Sequence, residues 1–133
     1  MKTVKNEYEV GDIVFVSKYN YDNGNKGNNH LFVIINAEKN EVISVEYFGM
    51  IVSSHREKGN DVSNFAYNEP LDKNTTNGLR DDSIVKCDQI FSIPPKNIQF
   101  KIGQIDIDDY LRFMEAYNLF LSTIEDEINS RVS

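Results

Sequence analysis

The chain has 133 residues, one cysteine and a formal net charge of −7, which is length enough to bury one continuous core without disulfides or a structural metal. The acidic balance excludes a protein that coats nucleic acid non-specifically, because phosphate binding draws on many lysines and arginines. The lone Cys87 excludes an intramolecular disulfide and a four-cysteine zinc site, and fits a reducing, cytoplasmic setting. The opening MKTVKNEYEVGDIVFV is broken by Glu7, Glu9 and Asp12, so it predicts neither a signal peptide nor an anchor. No other stretch approaches the roughly twenty apolar residues of a membrane span.

In chain order, Asp12 to Ser17 (DIVFVS) is a short β-compatible run and predicts the first strand. The following KYNYDNGNKGNNH is rich in Asn, Gly, Asp and Lys and predicts a long loop. HLFVIIN, His30 to Asn36, is the most apolar run and predicts a central strand buried on both faces. A turn at AEKNE leads into EVISVEYF, Glu41 to Phe48, whose alternation places Ile43, Val45 and Tyr47 toward the core. Gly49 offers a bulge or bend, and Met50 to Ser53 continues the β pattern. SSHREKGNDVS then reads as loop, Phe65 to Tyr67 as a short strand, and NEPLDKNTTNG as a connection. Ser83 to Ile90 predicts a strand, with the ladder ended by Pro94 and Pro95, and Ile98 to Ile102 a last strand closed by Gly103.

From Asp106 the period changes from two to about three and a half. Tyr110, Met114, Tyr117, Leu121, Ile124 and Ile128 line one stripe of a helix over about 107–130, with Asp106 as its N-cap. Asp108 and Asp109 suit the positive end of the helix dipole and Arg131 the negative end. Phe113, Ala116 and Phe120 widen the stripe, so the helix is expected to lie against the sheet and to be able to meet a second subunit. Short strands over about 11–104 without βαβ alternation, then one helix, predict a single mainly β (α+β) domain over 1–133, an SH3-like barrel or another α+β arrangement.

Three segments together resemble the MazF/PemK toxin family: GDIVFV at Gly11 to Val16, HLFVIIN at His30 to Asn36, and GLRDDSIVKCDQIFSI at Gly78 to Ile93, followed by Ile102–Gly103 and the terminal helix. The resemblance spans Gly11 to about Leu121 in order and spacing. It implies a small SH3-like curled β-barrel with one long C-terminal amphipathic helix. It further implies a metal-independent endoribonuclease without cofactor that cleaves single-stranded RNA with the 2′-hydroxyl as nucleophile, acts as a homodimer in the cytoplasm and is neutralised by a cognate antitoxin. One departure is plain: where the family has an Arg-Pro pair opening its second strand, this chain has Asn29 and His30. The family's hydroxyl position is matched by Ser53, with Ser54 beside it.

The candidate site follows from those positions. His30 and His55 are the only histidines and fall beside the family's active-site positions, so they are candidates for general-base and general-acid work. The opposing reading makes them a strand-opening residue and a solvated loop residue. Ser53 and Ser54 are candidate hydrogen-bond donors to a phosphate, and Arg56 and Lys58 would neutralise it. Lys18, Lys26 and Asn29, with Tyr19 and Tyr21 between, form a candidate RNA-binding loop that combines charge with stacking. Gln89 is read as a backbone partner and Cys87 as a small buried residue. The runner-up function is a catalytically degenerate family member that binds protein or nucleic acid; a phage or mobile-element adaptor of SH3-like form is a third.

Overall fold

A computed structural model of the chain describes residues 8–20, 26–39, 45–54 and 67–132. Among these residues seven strands precede one α-helix: β1 (Asp12–Asn20), β2 (Lys26–Lys39), β3 (Val45–Ser53), β4 (Asn68–Leu71), β5 (Ser83–Lys86), β6 (Phe91–Ile93), β7 (Ile98–Gln104) and α1 (Ile107–Val132). All pairings are antiparallel, in the order β4-β5-β3-β2-β1-β7, with β6 against β3. The mainly β architecture with a terminal helix is as the sequence predicts, whereas among the described residues the sheet stays open: β4 and β7 end its path and do not pair with each other.

The apolar runs in β1, β2 and β3 bury both faces of the sheet, and alternation sorts their residues into two cores. Ile13, Val33, Met50, Val52 and Val85 form the first core with Phe113 and Ala116 of α1. Val14, Val16, Phe32, Ile34, Ile51, Phe91 and Ile93 form the second. Tyr47 faces that second core as the β3 pattern predicts, while residues 41–44 lie outside the described part. The bulge expected near Gly49 sits on the facing strand. Ile34 pairs with Gly49 and Asn36 with Phe48, so Ile35 is the extra residue.

Three boundaries differ from the sequence reading, each for a reason of pairing. The Asn/Gly-rich stretch is largely ladder, with Lys18 opposite Asn28, Tyr19 opposite Gly27 and Asn20 opposite Lys26. NEPL, read as connection, is the edge strand β4 on β5. The strand expected from Ser83 to Ile90 stops at Lys86, and pairing resumes at Phe91 on β3. The proposed strand at 65–67 lies outside the described residues except for Tyr67, which sits in a turn.

The helix starts where its cap predicts: the Asp109 amide donates to Asp106 Oδ1 at 2.8 Å. Its first half packs on the sheet through Phe113 and Ala116, and Arg112 bridges Asp109 and Glu69 of β4, both at 3.0 Å. In its second half Leu121, Ile124 and Ile128 of the expected stripe are exposed. No helix among the described residues is long and apolar enough to cross a membrane.

Candidate active site

The Leu31–Val52 pair of the β2–β3 ladder brings the start of the central strand beside the end of β3. As a result Asn29, His30, Ser53 and Ser54 line one cleft of about 250 Å³, together with Phe15 and Ser83. Ser53 is 4 % exposed and Ser54 is open to solvent. Two candidates from distant parts of the sequence, His30 and Ser53, therefore share a concave surface.

Asn29 holds a left-handed backbone, φ 51°. Asparagine is among the few residues that adopt this without large penalty. On β1, Val14 and Val16 face the second core, and strict alternation would send Tyr19 to the opposite face; instead Tyr19 joins Val16 in that core. The change of side falls between Val16 and Tyr19, and Asn29 lies on the facing strand between the partners His30 and Asn28. The turned backbone at the cleft and the inward swing of Tyr19 thus occur at one level of the hairpin.

Other candidates are placed as follows. Tyr19 is 5 % exposed, packed edge-on against Phe32 and Phe91 with ring centroids 4.8 and 5.3 Å away, and lies over Gly27, where a Cβ would overlap its ring. A ring so enclosed offers no open face to a base. The His30 ring lies 6.3 Å from that of Tyr19, in edge geometry. Lys18 is exposed on β1, and its carbonyl accepts from Asn97 Nδ2 at 3.2 Å. Lys26 pairs with Asn20 through the ladder. Tyr21, His55, Arg56 and Lys58 lie outside the described residues.

A second cleft of about 470 Å³ shares Phe15, Leu31, Ser54 and Ser83 with the first and extends it toward Arg80, Asp81 and Phe100. Arg80 is the one Lys or Arg among the described residues lining the two clefts, with Asp81 beside it. Arg80 is not among the residues that sequence spacing singles out, because its nearness to Ser54 exists only in the fold. The signal available was the charged turn inside Gly78 to Ile93.

That turn is held firmly. Buried Asn77 donates through Nδ2 to the Asp72 carbonyl at 2.8 Å, and its Oδ1 accepts from the Asn74 and Leu79 amides at 3.1 and 3.0 Å. Asn74 Oδ1 accepts from the Thr76 and Asn77 amides in return. Gly78 follows at φ 69°, where a side chain would overlap the Ile102 carbonyl, so the backbone position calls for glycine twice over. Downstream, Asp82 Oδ1 accepts from the Lys73 amide at 2.9 Å, and Ser83 Oγ donates to the Asp81 carbonyl at 2.9 Å. Arg80 thus stands on a braced loop.

Cys87 is buried, and burial, with Glu69 adding to it and Arg112 opposing, pushes its thiol up to about 12. Such a thiol carries no thiolate at neutral pH and is no nucleophile. Among the described residues no three of His, Cys, Asp and Glu gather in a way that would hold a metal ion. The first cleft offers His30 and the hydroxyls of Ser53 and Ser54, and the second adds the Arg80 guanidinium with the Asp81 carboxylate beside it, groups that can hydrogen-bond and hold an anionic ester.

Comparison with known proteins bears on the fold and the family. No curated protein sequence matches the chain. Among solved structures, the Mycobacterium tuberculosis toxin MazF-mt6 superposes with a TM-score of 0.55 at 19% identity, covering 82% of this chain and 96% of that one, a likeness of fold. The family model described as PemK-like, MazF-like toxin of type II toxin-antitoxin system matches residues 9–121, and the chain belongs to that family.

Proposed function

We propose that this toxin is a metal-independent endoribonuclease that cuts single-stranded RNA in the cytoplasm as a homodimer. The observation that carries the reading is the shared cleft: His30, Ser53 and Ser54 line one surface that runs on to Arg80. A ribose 2′-hydroxyl attacks the adjacent phosphorus, giving up its proton to the His30 imidazole as the new P–O bond forms. Ser53 and Ser54 donate hydrogen bonds to the non-bridging oxygens, and Arg80 neutralises the charge that grows on them. The bond to the 5′-oxygen then breaks. That oxygen takes a proton from an acid, a role that falls to His55, leaving a 2′,3′-cyclic phosphate and a 5′-hydroxyl. Arg56 and Lys58 add charge for the RNA backbone, as do Lys18 and Lys26. Asn29 sets the rim.

Membership of a type II family implies an antitoxin protein as partner; we assign it the mouth of this cleft. The second reading, a family member that binds RNA or protein without cutting, is favoured by Asn29 and His30 standing where the Arg-Pro pair is expected.

The test is a labelled single-stranded RNA incubated with the purified chain in EDTA, beside the same oligonucleotide with 2′-deoxyribose throughout. Cleavage of the first alone, with cyclic-phosphate ends, is expected, and His30→Ala should slow it by about 10²–10⁴-fold. Intact RNA at high concentrations of folded protein, or cutting of the deoxy strand, rejects the nuclease.

A further inference from the structure

We infer that Phe100, stacked on Phe15, is the platform on which one unstacked base of the RNA lies, next to the phosphate held by Ser54 and Arg80. The inference rests on the ribonuclease reading and adds to it a base-binding subsite. Phe100 is 51% exposed although it sits within a strand, and its ring is nearly parallel to that of Phe15, 10° between planes and 5.1 Å between centroids. Both rings line the larger cleft with Arg80 and Ser54.

The β1–β7 register shows how the ring comes to be there. Phe15 pairs with Phe100, but Val16 pairs with Ile98, so Gln99 is an extra residue on β7. In an unbroken strand Phe100 would share the face of Ile98, which is buried in the second core. The bulge turns it instead to the side of Phe15 and the cleft. Bulges that re-aim a side chain are over-represented beside active sites. A large apolar ring kept in water, backed by another ring and bordered by a guanidinium and a hydroxyl, combines the elements used to hold a single strand: stacking for the base, charge and hydrogen bonds for the phosphate. Because every base has a π-face, the platform serves grip more than sequence choice.

The test uses the full chain and a labelled 12-nucleotide RNA carrying 2′-O-methyl groups throughout, so that it binds without being cut. By fluorescence anisotropy, Phe100→Ala and Phe100→Leu should weaken binding roughly tenfold, while Phe100→Tyr binds as the parent does. On unmodified RNA the loss should fall on KM and not on kcat. Phe100→Trp adds a direct reporter, its emission expected to be quenched by the oligonucleotide. Unaltered melting temperatures confirm that the variants fold. Parent-like binding and cleavage by Phe100→Ala overturns the platform and leaves the nuclease standing. A parent chain that neither binds nor cuts RNA removes both. A variant that alters only the monomer–dimer balance by sedimentation assigns the ring to a contact between copies and overturns the inference.

Discussion

Two aromatic clusters grow from the same strand, and they differ in what surrounds them. Tyr19 of β1 closes on Phe32, Phe91 and the bare backbone of Gly27, with almost no ring left in solvent. Phe15, four residues earlier, stacks on a ring that is half in water. Residue type is nearly the same in both. What separates them is backbone geometry: a left-handed Asn29 beside the first and a bulge at Gln99 beside the second. Aromatics on and beside β1 are thus assigned to core or to cleft by where its two ladders are irregular.

Substitutions can break that contrast, and the largest effect should fall in the closed cluster. Phe32→Ala removes a fully buried ring and should cost about 3–5 kcal/mol in a urea melt. A loss below about 1 kcal/mol would show the cluster to be loose. Gly27→Val places a branched side chain into the Tyr19 ring and should cost about 1–3 kcal/mol, partly recovered in the double variant with Tyr19→Ala. Asn29→Ala keeps the pairing but imposes the left-handed backbone on a residue that resists it, about 1 kcal/mol, whereas Asn29→Gly should be close to neutral. In the open cluster, Phe100→Ala should shift stability by no more than about 0.5 kcal/mol. A large loss there would make Phe100 a core residue and erase the contrast.

Cys87 gives a pH reading of the first core. In the folded chain the thiol holds its proton until about 12, against an ordinary value of 9.0. The unfolded chain therefore releases that proton first, and this contribution to stability, complete below about pH 9, is lost as pH rises toward 12. Chemical melts at pH 7 and pH 10 should differ in that direction, and Cys87→Ala should reduce the difference. A thiol reagent should label the native chain only as fast as it opens.

Strand cores were legible because Val, Ile and Phe cluster in DIVFVS and HLFVIIN, and the helix because its apolar spacing and Asp106 cap agree. The ladder through Lys18–Asn28 was not, since its residues favour turns and pair only because the partner strand is present. NEPL failed for the same reason: a proline and an acid hide a strand whose cause is β5. Of the candidate site, the placing of Ser53 and His30 together was legible from the positions that resemble the family's. Arg80 was not, because only the braced turn brings residue 80 to the cleft that adjoins, through Phe15, Leu31, Ser54 and Ser83, the one lined by Ser53.

Pro70 carries one more consequence. It sits in β4, which ends the sheet, opposite Ile84 of β5. A proline there has no amide hydrogen to offer to an incoming chain. That margin of the sheet is thereby a poor template for the addition of a strand from another chain.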